Sequence, residues 1–157
     1  TRPMTNPILA RWRQLSPRPG GAWLFSRMLG RMARYSGSIR PRIVELEPGR
    51  CTVRMADRAA VRNHLRSVHA IALMNLGEVA SGLAVLAGLE SERRGIVTNL
   101  SMRYEKKARG TITARAEFAP PERGHDGPFT CEAGLFDDDG DRVATITAEW
   151  TLGPATR

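Results

Sequence analysis

Cysteine is scarce in this chain of 157 residues: Cys51 and Cys131 are the only two, far apart and outside any CxxC spacing. Neither a structural zinc site nor a disulfide framework is therefore indicated. Isolated thiols suit a reducing compartment, so the expected location is cytoplasmic. Aromatic residues amount to 6% and do not interleave with the basic ones, as stacking platforms for single-stranded RNA require. No zinc-knuckle or helix-turn-helix pattern appears, and no nucleic-acid partner is expected. An apolar run of signal-peptide type is also missing near the start, where Arg11, Arg13 and Arg18 interrupt every short hydrophobic stretch.

What is abundant is arginine. The formal net charge is +8 and the pI is about 10.9. Arg2, Arg11, Arg13, Arg18, Arg27, Arg31, Arg34, Arg40 and Arg42 crowd the first quarter, whereas Asp137, Asp138, Asp139 and Asp141 form an acidic run near the end. That asymmetry predicts a basic N-terminal surface, solvated unless an anionic partner covers it. With 41% hydrophobic residues, the chain has the apolar material for one domain with a real core.

Prolines 3, 7, 17 and 19 confine any first helix to the stretch between Asn6 and Ser16. From Ala22 to Tyr35, Trp23, Phe25, Met28, Leu29 and Met32 recur at helical spacing between arginines, which predicts a short amphipathic helix. Residues 1–37 are thus read as an N-terminal helical extension and 38–153 as the main domain. Ser38–Leu46 and Arg50–Met55 alternate apolar and polar residues around Glu47-Pro48-Gly49, good turn chemistry for a hairpin. A charged loop follows and ends at His69.

Ala70–Leu89 is apolar almost all round a helical cylinder. It is long enough to cross a bilayer, but Asn75 and Glu78 lie in its middle, which favours a helix buried in protein over a transmembrane segment. Ile96–Tyr104, Thr111–Ala119, Phe129–Phe136 and Arg142–Leu152 then read as four consecutive strands of an antiparallel meander. One wrapped helix, a hairpin before it and strands after it make the fold class α+β. The Asp137–Asp141 run lacks the further ligands of a calcium loop and stands where a hairpin turn is needed.

Asn63-His64-Leu65-Arg66-Ser67-Val68-His69 places a carboxamide and two imidazoles directly before a hydrophobic helix that holds a lone carboxylate, Glu78. This constellation resembles the hotdog-fold thioesterases of the phenylacetic-acid-pathway type, and an uncharacterised DUF4442-type branch in particular. The likeness spans roughly residues 39–152. In that family an Asn precedes a His-Gly-Gly by six residues and a catalytic Asp or Glu follows the His by nine; Asn63, His69 and Glu78 match both spacings. Here Ala70-Ile71 replaces Gly-Gly, and Glu replaces the commoner Asp.

The resemblance implies a long central helix wrapped by a curved antiparallel sheet, a homodimer or a tetramer built from it, and hydrolysis of acyl-CoA or an acyl-carrier thioester. Coenzyme A enters only as part of the substrate, and no metal or other cofactor is called for. The backbone N–H of Ala70 or Ile71 would polarise the thioester carbonyl at the helix N-terminus, and Glu78 would act as general base or nucleophile. Asn63 would orient water or substrate, and His69 would position the carbonyl. His64, Asn75, Thr98 and Asn99 are supporting candidates, with Ser101 nearby; Arg103, Lys106, Lys107 and Arg109 are candidates for the CoA phosphates.

Other readings stand beside these. His69 also suits a cap at the helix start, Asn63 a turn, and the basic residues a solvated strand end. A helical His69 would face away from Glu78, since nine residues at ~100° each turn the helix by ~180°. Two chains are then needed to bring both groups to one pocket. The functional alternatives are a hotdog protein that binds acyl groups or acyl-CoA without turnover, and a hydratase, whose Asp and His pair is not seen here.

Overall fold

A computed structural model describes residues 5–155; Arg2 and Pro3, named above, lie outside them. Three helices come first: α1 (Pro7–Leu15), α2 (Gly21–Met32) and α3 (Arg34–Gly37). Asn6 Oδ1 accepts the Ile8 N–H at 2.9 Å with Pro7 in the first helical position, so α1 starts where the sequence predicts. Trp12 and Phe25 meet edge to face at 5.2 Å and dock α1 on α2. The single helix expected over 22–35 is two: Ala33 leaves helical geometry at φ −111°, ψ 82°. The break folds α3 back until Gly37 lies on Gly30, where a Cβ on Gly37 would stand 2.2 Å from the Gly30 carbonyl oxygen.

The strands are β1 (Arg42–Glu47), β2 (Arg50–Met55), β3 (Arg93–Tyr104), β4 (Ile112–Glu117), β5 (Gly127–Phe136) and β6 (Arg142–Pro154). They form one antiparallel sheet in the order β1-β2-β4-β5-β6-β3. Gly49 makes the β1–β2 turn at φ +73°, a conformation that favours glycine. The four-strand meander needs correction. Only β4, β5 and β6 are consecutive neighbours; β3 lies beyond β6 at the far edge, and β4 pairs with β2 instead. Alternation reports which face a strand buries but not which neighbour it takes. Burial shows the difference: Ile112, Ala114 and Ala116 of β4 are fully enclosed, whereas Val97, Leu100 and Met102 of β3 are half-buried.

The sheet curves around α4 (Ala70–Ala87). Ala114, Ala116, Ala133, Ala144 and Ala148 keep its inner face shallow, and α4 answers with Gly77 against Ile146 and Gly82 against Trp150. Leu76, Ala80, Ala84 and Val85 are completely buried between them. The helix is apolar enough and long enough to cross a bilayer, yet two thirds of it is enclosed within this fold. A central helix in a curved antiparallel sheet is the hotdog arrangement.

Candidate active site

The segment leading into α4 is built by its own side chains. Asn63 Oδ1 accepts the N–H groups of Leu65 (2.9 Å) and Ser67 (3.1 Å), while its backbone N–H donates to the Ser67 carbonyl. The loop closes tightly enough that Arg66 adopts φ +58°. His69 is the N-cap of α4, with extended φ −64° and ψ 139°, and its Nδ1 accepts the Ile71 N–H at 3.0 Å. Its backbone N–H donates to the Val61 carbonyl. Asn63 therefore does make a turn and His69 does cap a helix. Asn63 Nδ2 remains without a hydrogen bond among the described residues.

One amide of the two proposed for carbonyl polarisation is engaged. The Ile71 N–H belongs to His69, and the Ile71 side chain is 53% exposed beside it. Ala70 makes no such side-chain bond through its N–H; its carbonyl accepts the Tyr104 hydroxyl at 2.9 Å. A cavity of about 370 Å³ opens here, walled by Asn63, Ser67, Ala70, Leu73, Tyr104 and Lys107. Ser67 Oγ is buried without a partner among the described residues. Ser67 and Tyr104 were not singled out by sequence reasoning. Tyr104 becomes visible only once the β3 bulge between Val97 and Asn99 is known, because that bulge resets which residues face inward.

Glu78 lies two turns further along α4, on the partly open stripe that also carries Ile71 and Met74. Its carboxylate sits beside Gly82, the glycine that also faces Trp150, and desolvation alone lifts its pKa above the ordinary glutamate value. No hydrogen bond or charge partner offsets that cost within the described chain. Because His69 is a cap rather than a helical residue, opposite facing does not separate it from Glu78. Distance does: eight residues of helix from Ala70 to Glu78 rise ~12 Å. One chain does not bring the helix start and Glu78 together.

Asn75 is buried and donates from Nδ2 to the Tyr35 carbonyl at 3.2 Å, tying α3 to α4. His64 is exposed on the loop. Thr98 donates to the Glu149 carbonyl at 3.1 Å, and Asn99 and Ser101 are exposed on β3. Lys106 is held between Asp137 and Asp141 at 2.7 Å each, which pushes its pKa up. The acidic run is the β5–β6 turn, where Asp137 Oδ1 accepts the N–H groups of Asp139 and Asp141. Lys107 borders the helix-start cavity, and Arg103 and Arg109 are exposed.

Residues 21–152 match the family model described as a domain of unknown function, DUF4442. The match takes in α2 and α3 as well as the sheet up to the last two residues of β6. Among solved structures, a protein determined as a genomics target is 30% identical, with a TM-score of 0.80 over 94% of this chain and 97% of its own. A Pseudomonas aeruginosa protein of unknown function, described as a probable thioesterase, is 27% identical with a TM-score of 0.72, covering 98% of this chain and 99% of its own. A thioesterase family protein from Silicibacter pomeroyi, at 21% identity, shares the fold with a TM-score of 0.72 over 83% and 96% of the two chains. No curated protein matches the sequence. The chain belongs to the DUF4442 family and carries the hotdog fold of thioesterase-type proteins.

Proposed function

We propose that this protein hydrolyses acyl thioesters, acyl-CoA or an acyl-carrier conjugate, to free acid and thiol. The observation that carries the reading is Glu78: a largely buried carboxylate, uncompensated within its own chain, inside a fold shared with a probable thioesterase. Such a group is costly unless a reaction or a partner uses it. With its pKa raised, Glu78 takes a proton from water or attacks the thioester carbonyl, while the amide at the start of α4 stabilises the oxyanion.

The site is completed by a second copy of the chain. Among the described residues β3 is an unpaired sheet edge 12 residues long, Ile96 on it is 55% exposed, and the Ile71, Met74 and Glu78 stripe is partly open. A two-fold dimer across this edge covers the stripe and brings one chain's Asn63 and His69 towards its partner's Glu78. Lys107 and Arg103 then stand nearest the thiol-bearing, phosphorylated end of the substrate.

One observation favours a second reading, an acyl-binding protein without turnover. Where the related enzymes carry glycine, Ile71 presents a branched side chain at the helix start, and its N–H is spent on His69. Release of free thiol from short, medium, long and aromatic acyl-CoAs decides between them. Turnover abolished by Glu78→Gln, with fold and dimer intact, supports hydrolysis. Saturable acyl-CoA binding with no thiol release by the unmodified protein rejects it in favour of binding.

A further inference from the structure

A cavity of about 620 Å³ lies between α2 and the segment 37–42, at the β1 end of the sheet, opposite the β3 edge. Its walls are Ser26 and Gly30 of α2, Gly37 of α3, and four arginines, Arg27, Arg31, Arg40 and Arg42. No acidic residue among those described lines it. None of the four guanidinium groups has a carboxylate partner among the described residues, although Arg13, Arg50, Arg62, Arg93 and Arg123 each find one.

The imbalance begins in the sequence. Nine of the 24 basic residues and none of the 16 acidic ones precede residue 45, so the rest of the chain is one charge short of neutral on the acidic side. The whole excess therefore lies in the first 44 residues, the stretch that supplies this cavity. Other polar groups in the cavity are already satisfied: Ser26 Oγ donates to the Ala22 carbonyl and accepts the Ile43 N–H. Gly30 and Gly37 contribute bare backbone, which leaves guanidinium as the chemistry presented.

The chain around Arg40 is held at a cost, in its backbone and in the charge beside it. Arg40 occupies φ +52°, a backbone region that non-glycine residues rarely adopt. Behind it, Arg58 donates to the Ser38 carbonyl at 2.6 Å but keeps a buried Nε without a partner. Burial, and then the positive charge of Arg40, lower the pKa of Arg58. An anion between the arginines would relieve that repulsion.

We propose that this cavity binds a ligand through a phosphate monoester or diphosphate group held by Arg27, Arg31, Arg40 and Arg42. Each guanidinium presents paired donors that match phosphate oxygens, and its charge is fixed at all physiological pH. Four of them with no counter-charge call for at least two negative charges in a small volume, which a phosphate supplies and a single carboxylate does not. The volume is that of a small-molecule site and admits an organic body beyond the phosphate. Trp23, 54% exposed with Arg27 stacked 5.3 Å from its ring centre, stands at the rim to cover it. The site is independent of the thioester reading.

The test uses the full chain in two arms: calorimetric titration with inorganic pyrophosphate, and co-flotation with vesicles containing phosphatidic acid against vesicles of phosphatidylcholine alone. Saturable pyrophosphate binding, weakened at least tenfold in Arg27→Gln/Arg40→Gln, supports a soluble phosphorylated ligand. Flotation with phosphatidic acid only, lost in the same variant, supports a lipid headgroup as the phosphate source. Should that pair lower the melting temperature, Arg31→Gln/Arg42→Gln replaces it. Arg54→Gln/Arg115→Gln, on exposed parts of β2 and β4, removes the same charge elsewhere. Absence of binding in both arms, or an equal loss in this control, overturns the proposal.

Discussion

Glu78 joins the energetics of single residues to the proposed reaction. Burial raises its pKa, so the folded chain holds that proton more tightly than the unfolded chain does. The contribution to stability is fully present below the ordinary glutamate value of ~4.3 and is lost as pH rises through the raised value. Glu78→Gln removes this loss. Its melting temperature is expected to gain on that of the unmodified protein between acid and neutral pH, as followed by circular dichroism. The opposite sign applies to catalysis: the base must be ionised, so kcat/KM rises with pH along a limb displaced above ~4.3.

Asn63 is expected to divide stability from chemistry. Asn63→Ala orphans the amides of Leu65 and Ser67 and costs about 1–2 kcal/mol in denaturant unfolding. Asn63→Asp keeps the accepting oxygen and should retain most of the stability while losing the Nδ2 donor, so any fall in its rate reports on that donor. The sequence made Asn63, His69 and Glu78 visible by spacing. It could not show that an Asn63 oxygen and the His69 Nδ1 are already engaged by backbone amides, because spacing does not reveal which lone pair is occupied.

At the scale of the element, the start of α4 and the packing of α2 on α3 are the points of control. Replacing the His69 cap by alanine should cost ~1 kcal/mol, and His69→Asn should recover most of it without an imidazole. Thermal unfolding of the two variants separates capping from any role in turnover. Gly37→Ala would drive a Cβ into the Gly30 carbonyl and should destabilise by roughly 1–3 kcal/mol, since backbone cannot yield there as a side chain end can.

Helix α1, the β1–β2 hairpin and α4 were legible because caps, turn residues and apolar periodicity all act locally. The place of β3 and the break at Ala33 were not. Strand neighbours are set by distant parts of the chain, and the Gly30–Gly37 contact, though it spans only seven residues, exists only once the chain has turned at Ala33. Tyr104 stayed hidden for the same reason, since its inward direction follows from a bulge six residues earlier.

For the whole molecule, the open β3 edge and the ~12 Å between the helix start and Glu78 point to the same assembly. Ile96→Asp on that edge is expected to shift the protein towards monomer in sedimentation velocity and to lower turnover with it, while the fold is retained. Arg27, Arg31, Arg40 and Arg42 line a cavity at the other end of the sheet, so an anionic ligand there need not compete with an acyl thioester at the proposed dimer edge.

The most direct measurement mixes two inactive proteins. Asn63→Ala damages the helix-start half of each site and Glu78→Gln the carboxylate half, so a dimer of one chain of each contains one site with both halves intact. Co-refolded in equal amounts, half the dimers are mixed, and acyl-CoA hydrolysis is expected to return to about a quarter of the unmodified rate. A mixture no more active than either variant alone would contradict a site shared between two chains.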